Sequence, residues 1–123
     1  MALVLIVDDS PTEVHVLTNV LEKHGFDTIS ADNGTQGIEA ARRQNPNIIL
    51  MDVVMPGING FQATRKLARD PETSAIPVIM VTTKDQESDK VWGMRQGAFD
   101  YLIKPVAEDD LIDKVRAALA HDS

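Results

Sequence analysis

The sequence of 123 residues contains no cysteine, which excludes a disulfide framework, a thiol nucleophile and the usual zinc sites. Basic residues are in the minority, because 12 Lys and Arg face 19 Asp and Glu and leave a net charge of −7. That balance argues against a nucleic-acid or anionic-membrane partner. Long hydrophobic runs are also missing: the opening MALVLIVDDS lacks a basic n-region and is too short in its apolar part for a signal peptide or a membrane span. We therefore expect a cytoplasmic protein that neither binds nucleic acid nor inserts into a membrane.

Short apolar runs alternate with helical segments along the chain. The pattern predicts strands over residues 3–7, 26–31, 48–51, 77–82 and 100–103, and helices from 11 to about 24, 35–44, 60–70, 86–96 and 108–120. Strands that are apolar throughout are typical of a parallel sheet covered on both faces. The sequence therefore predicts a (βα)5 α/β fold, a doubly wound parallel sheet between two helical layers. We expect residues 1–123 to form one domain.

The first helix has a strong start signal in Ser10-Pro11-Thr12-Glu13. Ser10 is a favourable N-cap and Pro11 suits the first helical position. Glu13 completes the S-x-x-E pattern of a capping box, in which the glutamate side chain returns to the N-cap amide.

Polar side chains follow four of the predicted strands where each strand ends: Asp8-Asp9, Asp52, Thr82-Thr83 and Lys104. Ligands of open parallel sheets bind outside these carboxyl ends, so we expect the four groups to converge. Carboxylates held close together repel each other unless a cation or proton intervenes. Hard oxygen ligands without cysteine or histidine favour Mg²⁺.

These residues, Asp8-Asp9, Asp52, Thr82 and Lys104-Pro105, resemble at their spacings the receiver domain of two-component response regulators. The resemblance covers essentially the whole chain and implies a flavodoxin-like sheet with strand order 2-1-3-4-5. More narrowly, DDSPTE, LEKHG and MDVVMPGINGFQATR are similar to the small chemotaxis-type receivers of the type IV pilus twitching-motility pathway.

The resemblance implies a role for each residue of the predicted site. Asp52 would be the nucleophile that accepts a phosphoryl group from a histidine kinase. Asp8, Asp9, Asp52 and the backbone carbonyl of Val54 would bind Mg²⁺, with Asp8 acting mainly through a water. Lys104 would pair with Asp52 at rest and with the phosphoryl oxygens afterwards.

Two further residues resemble the switch of the family. Thr82 would move its hydroxyl onto the phosphoryl group, and Tyr101 would rotate inward; the alternative for Tyr101 is an ordinary strand aromatic with its hydroxyl at the surface. A downstream motility protein would dock on the fourth helix, fifth strand and fifth helix, where Lys90, Met94 and Tyr101 lie. Trp92 is expected to serve packing. The resemblance also implies a cis peptide before Pro105.

Dephosphorylation is expected to be slow, because Val54 and Lys84 flank the path of the hydrolytic water in the family and Val54 cannot orient it. Thr83 adds bulk on the same approach. The chain would therefore be no enzyme beyond its own phosphorylation and slow dephosphorylation, and it would be a monomer or a weak dimer.

Three alternatives to a signalling switch stay open. In a phosphate sink, Asp52 would drain phosphoryl groups from a shared kinase without any output surface. An aspartyl-nucleophile phosphatase resembles a D-x-D pattern, but Val54 occupies the place of the second carboxylate. A nucleotide or flavin module is disfavoured by the acidic residues at the strand ends and by the lack of a glycine-rich first loop.

Overall fold

The computed structural model describes residues 2–121 and has five strands and five helices in that range. The strands are β1 (Leu3–Val7), β2 (Asp27–Ala31), β3 (Ile48–Met51), β4 (Val78–Thr82) and β5 (Asp100–Ile103). The helices are α1 (Pro11–Lys23), α2 (Gly34–Gln44), α3 (Gly60–Arg69), α4 (Glu87–Arg95) and α5 (Glu108–His121). All strands are parallel, in the order β2-β1-β3-β4-β5. The predicted fold and strand order are confirmed, and the predicted element bounds agree with the observed ones to within about one residue.

The sheet separates two hydrophobic cores, and alternate residues of the same strand enter different cores. Leu5 and Val7 of β1 belong to the core that includes α2 and α3, whereas Val4 and Ile6 belong to the core that includes α1 and α5. All four side chains are fully buried. Burial on both faces explains why the central strands are continuously apolar rather than alternating.

Helix α1 begins as predicted, but its capping box does not form. The Ser10 hydroxyl accepts a hydrogen bond from the Glu13 amide at 3.3 Å, so the N-cap is present. The Ser10 amide, however, donates to Asp8 Oδ1 at 2.9 Å. Because this amide already has an acceptor, the Glu13 side chain is free to approach Lys104 instead, with Oε2 at 3.8 Å from Nζ.

Backbone hydrogen bonds align the residues that follow the strands. The Asp8 amide donates to Ala31 O at 3.1 Å, the Asp52 amide to Val7 O at 3.0 Å and the Lys104 amide to Thr82 O at 2.8 Å. Each bond extends the pairing of the sheet by one residue, so the polar side chains start from one common edge. Among residues 2–121, no helix combines the length and the apolar character needed to span a bilayer.

Gly60 allows α3 to begin directly against the backbone of Asp52. Its amide donates to Val53 O at 2.9 Å. A Cβ at this position would lie 1.9 Å from the carbonyl oxygen of Asp52, which no side chain can tolerate. The close approach therefore requires glycine and sets the backbone position of Asp52.

Candidate functional site

Three carboxylates meet at the carboxyl end of the sheet. One oxygen each of Asp8, Asp9 and Asp52 lies within 4.8 Å of the others. Asp8 and Asp52 are buried, being 3% and 8% exposed, whereas Asp9 is exposed to solvent. The convergence predicted from the ends of β1 and β3 is therefore observed.

Lys104 supplies a positive charge to this cluster. Its ammonium nitrogen lies 2.7 Å from Asp8 Oδ2 and 3.3 Å from Asp52 Oδ2. The predicted pairing with Asp52 is present, but the shorter hydrogen bond goes to Asp8. Burial by itself would lower the pKa of Lys104, yet the hydrogen bond to Asp8 and the charge of Asp52 outweigh it and raise the pKa above its ordinary value. Lys104 is thus a stable cation between two buried carboxylates.

Asp52 can remain in its apolar surroundings because both of its carboxylate oxygens have donors. Oδ1 accepts from the Val53 amide at 2.7 Å, and Oδ2 accepts from Lys104. Asp8 is satisfied in the same way, by the Ser10 amide on Oδ1 and Lys104 on Oδ2. A buried charge is costly unless it is paired and hydrogen-bonded, and here both conditions are met.

The carboxylate cluster has the chemistry and the spacing of a magnesium site. Opposite ligands of an octahedral Mg²⁺ are separated by about 4.2 Å, twice the usual Mg–O distance. One oxygen each of Asp8, Asp9 and Asp52 lies within 4.8 Å of the others, which is close to this separation. Because Lys104 already engages Asp8, the exposed Asp9 is the carboxylate most available to a cation. The residues present fit the ion.

Thr82 and Tyr101 hold the same peptide segment from two sides. The buried Thr82 hydroxyl accepts a hydrogen bond from the Lys84 amide at 3.3 Å. The Tyr101 hydroxyl donates to the Lys84 carbonyl oxygen at 2.8 Å. Tyr101 therefore lies inward, 8% exposed, and is not the strand aromatic with a surface hydroxyl that was the alternative. The two predicted switch residues are linked through the loop that follows β4.

The surroundings of Tyr101 stabilise its neutral hydroxyl. Burial, together with the negative charges of Asp89, Asp52 and Asp85, raises the pKa of Tyr101 to about 12. The ring packs on Gly93 of α4, where a Cβ would lie 3.0 Å from Tyr101 Cδ2. Gly93 has no side chain and therefore provides the space that the inward ring occupies.

The exposed surface of α4 is more apolar than expected. Met94 is 45% exposed, Trp92 47% and Val91 43%, while Lys90 is half-buried. Trp92, which was expected to serve packing, has about half of its surface exposed, whereas Gly93 and the C-cap residue Gln96 are buried. Tyr101, predicted as part of the same face, contributes little surface to it.

The three positions predicted to control hydrolysis are all accessible. Val54 is 58% exposed, and Thr83 and Lys84 are exposed. The Lys104–Pro105 peptide bond is cis, as the resemblance implies.

Sequence reasoning did not assign Gly60 or Glu13 to the site. For Gly60 the available signal was the Asn-Gly pair, because Asn59 caps α3 and glycine follows it where the helix meets Asp52. For Glu13 the capping pattern predicted the Ser10 amide as its partner rather than Lys104.

The fold is a doubly wound α/β domain, and its carboxylate–lysine site lies at the carboxyl ends of the strands, where ligands of such sheets bind. Residues 4–116 match the family model described as response regulator receiver domain. Protein PilH of Pseudomonas aeruginosa is 63% identical over 120 residues, covering 98% of this chain and 99% of that protein.

Solved structures agree with this match. A response regulator from Chloroflexus aurantiacus has a TM-score of 0.94 at 32% identity, covering 98% of each chain. The receiver domain of the Pseudomonas aeruginosa sensor histidine kinase PA1611, solved with magnesium coordinated in its active-site cleft, has a TM-score of 0.89 at 27% identity, covering 97% of this chain and 98% of that one.

The chain belongs to the response regulator receiver family. Its class is that of two-component phosphoacceptor proteins, and the phosphodonor of this class is a histidine kinase. Family membership also disfavours the phosphatase and the nucleotide or flavin module.

Proposed function

We propose that Asp52 accepts a phosphoryl group from a histidine kinase and that the phosphorylated chain binds a partner protein in type IV pilus twitching motility. One observation carries this assignment. Asp52 is buried at the sheet edge within reach of Asp8 and Asp9, and Lys104 Nζ lies 3.3 Å from its Oδ2. This is the arrangement that a carboxylate needs in order to approach an anionic phosphoryl group, because positioning and charge stabilisation are most of the catalysis available.

The transfer forms one bond and breaks another. A carboxylate oxygen of Asp52 bonds to phosphorus while the phosphorus–nitrogen bond of the donor's phosphohistidine breaks, and the imidazole nitrogen keeps the electron pair. Asp8, Asp9 and Asp52 would hold Mg²⁺, assisted by the carbonyl of Val54, and the ion supplies positive charge to the phosphoryl oxygens. The Lys104 ammonium, already hydrogen-bonded to Asp52, supplies a second positive charge to the same oxygens.

Thr82 connects the new phosphoryl group to the loop after β4. Its hydroxyl now accepts from the Lys84 amide, and a phosphoryl oxygen on Asp52 would offer that hydroxyl an acceptor. A move of Thr82 would change the support of the Lys84 peptide, whose carbonyl accepts from Tyr101. Phosphorylation would in this way reach the ring that packs on Gly93 of α4.

The apolar surface of α4 supports a switch rather than a phosphate sink. Val91, Trp92 and Met94 are each more than 40% exposed, and a sink has no need of such a surface. We assign the downstream partner to this face, together with Lys90 and the neighbouring β5 and α5. The similarity to protein PilH supports the assignment to pilus motility. We further propose that the chain acts in the cytoplasm and has no enzymatic activity beyond its own phosphorylation and slow dephosphorylation.

A phosphorylation assay tests the acceptor. Incubation with a small acyl phosphate and Mg²⁺ should add one phosphoryl group to the wild type and none to Asp52→Ala. Asp32→Ala is a matched control, because Asp32 is exposed and follows β2 at the same edge; it should still be labelled. Label retained in Asp52→Ala would refute the assignment.

Complementation of a twitching-deficient deletion strain tests the output face. Lys90→Glu should be phosphorylated normally but restore little twitching, whereas Lys66→Glu on the exposed surface of α3 should restore it. A sink requires only phosphorylation, so full restoration by Lys90→Glu would contradict the proposed switch.

A further inference from the structure

Glu13 is placed to act on Lys104 although it belongs to a different element. It lies in the first turn of α1, and its Oε2 is 3.8 Å from Lys104 Nζ. The Ser10 amide, which Glu13 would bind in a capping box, is already taken by Asp8. The Glu13 carboxylate therefore has no capping role and faces the ammonium of the site.

At rest, Lys104 has three carboxylate neighbours for its three N–H donors. Asp8 lies at 2.7 Å, Asp52 at 3.3 Å and Glu13 at 3.8 Å. A phosphoryl group on Asp52 brings new oxygens that need the same donors. The contact of Glu13 with the Lys104 ammonium is the longest of the three, so it is the one that the phosphoryl oxygens displace most easily.

The contact between Glu13 and Lys104 is only partly screened by water. The lysine side chain is 10% exposed and the Glu13 side chain 39%. Both residues line a cleft of about 360 Å³ whose other walls include Leu17, Val81 and Val106. Apolar walls lower the local dielectric, so the attraction exceeds that of a pair in open solvent. Asp8 and Asp52 do not line this cleft, so Glu13 approaches the ammonium from a side of its own.

We propose that Glu13 is a positioning residue for Lys104, which competes with the phosphoryl group on Asp52 for the ammonium. The inference rests on the proposed function of Asp52. Glu13 keeps Lys104 partly engaged away from the acceptor, so it restrains phosphorylation and weakens the hold of Lys104 on the phosphorylated state. Removal of its charge takes away one electrostatic attraction on the ammonium that competes with the phosphoryl oxygens.

Binding of beryllofluoride, a phosphoryl mimic, at saturating Mg²⁺ tests the proposal by calorimetry without any turnover. Glu13→Gln should bind beryllofluoride about two- to fivefold more tightly than the wild type, which is the range expected for a partly exposed ion pair. The rate of phosphorylation by a small acyl phosphate should rise in the same proportion. Glu22→Gln is the matched control, since it removes one charge from an exposed position of the same helix, and it should behave as wild type.

Glu13→Asp separates contact from charge. It keeps the negative charge but shortens the side chain by one methylene, so its carboxylate should no longer reach Lys104. If Glu13 acts by contact, Glu13→Asp should shift beryllofluoride affinity in the same direction as Glu13→Gln. If Glu13→Asp instead equals wild type, the effect is that of charge alone and the positioning role is refuted.

Three further results would refute the proposed role of Glu13, and one of them would also refute the role of Asp52. Unchanged affinity in Glu13→Gln, or an equal change in Glu22→Gln, would overturn the positioning role while leaving Asp52 as acceptor. A wild type that takes up neither beryllofluoride nor a phosphoryl group would overturn both proposals. Melting temperatures of the variants show whether a shift in affinity accompanies a loss of folding.

Discussion

Substitution of Gly93 by alanine sets two effects of known size against each other. Glycine inside a helix costs about 1 kcal/mol relative to alanine, so the change should stabilise α4 by that amount. The added Cβ, however, would lie 3.0 and 3.1 Å from Cδ2 and Cε2 of Tyr101 and 3.4 Å from Cε1 of Phe61. Overpacking of a filled site costs about 1–3 kcal/mol. We therefore expect Gly93→Ala to lower the free energy of unfolding by about 1 kcal/mol net.

The sign should reverse when the ring is removed. In a Tyr101→Ala background the close contacts with Cδ2 and Cε2 are gone, so Gly93→Ala should raise the free energy of unfolding by about 1 kcal/mol through helix propensity alone. Urea unfolding followed by far-UV circular dichroism measures both differences and avoids Trp92, which is adjacent to the substitution. The two backgrounds form a double-mutant cycle with a coupling of about 2 kcal/mol.

An equal stabilisation in both backgrounds would refute the reasoning, because it would mean that Tyr101 does not pack on Gly93 in solution. The position of the ring can be read independently. If alanine at position 93 drives Tyr101 outward, the pKa of its hydroxyl should fall from about 12 toward its ordinary value of 10.0.

Three further predictions follow from the site. Tyr101 is the only tyrosine, so absorbance at 295 nm should show one transition near pH 12, and a midpoint at the ordinary value would mean that the ring is exposed. Because the pKa of Tyr101 is raised in the folded state, its contribution to stability is complete below about pH 10 and is lost as the pH rises through about 12. Asp9→Asn should lose most Mg²⁺ affinity in a calorimetric titration, yet melt no lower than the wild type without metal, because repulsion among the carboxylates is relieved; a lower melting temperature would make Asp9 structural. Decay of phospho-Asp52 should be faster in a Val54→Asn, Lys84→Glu double variant, because the introduced amide and carboxylate can orient the hydrolytic water. Each 1.4 kcal/mol by which they lower the activation free energy raises the rate tenfold. Unchanged decay would show that the two positions do not control that water.

Local patterns along the chain were sufficient to predict the (βα)5 elements, whereas the strand order was implied by the family resemblance. The strands at Leu3–Val7, Ile48–Met51 and Val78–Thr82 follow from continuous apolar runs, since a strand buried on both faces needs no polar residue until it ends. For the same reason the position of Asp52, immediately after β3, predicted its place at the edge of the sheet. These features depend on residues that are close in sequence, so sequence reasoning reaches them.

The hydrogen-bond and ion-pair partners of the site residues were decided by the tertiary structure. Glu13 carries a correct helix-start pattern, but Asp8 takes the Ser10 amide and leaves Glu13 to face Lys104. Lys104 itself makes its shorter hydrogen bond to Asp8 rather than to Asp52. Each of these groups has more than one possible acceptor or donor along the sequence, and only the packed arrangement of β1, α1 and the loop after β5 brings one of them closer than the rest.

The orientation of the aromatic side chains was decided in the same way. Tyr101 points inward because Gly93 leaves room for its ring and the Lys84 carbonyl accepts its hydroxyl. Trp92, the residue before Gly93 in α4, is exposed because Gly93 and the C-cap residue Gln96 form the buried side of this segment. The apolar pattern of α4 is too weak to predict which side is buried. The sequence by itself therefore determined the sheet and the residues at its edge, whereas the hydrogen-bond partners and the free space at that edge depend on contacts between elements distant in sequence.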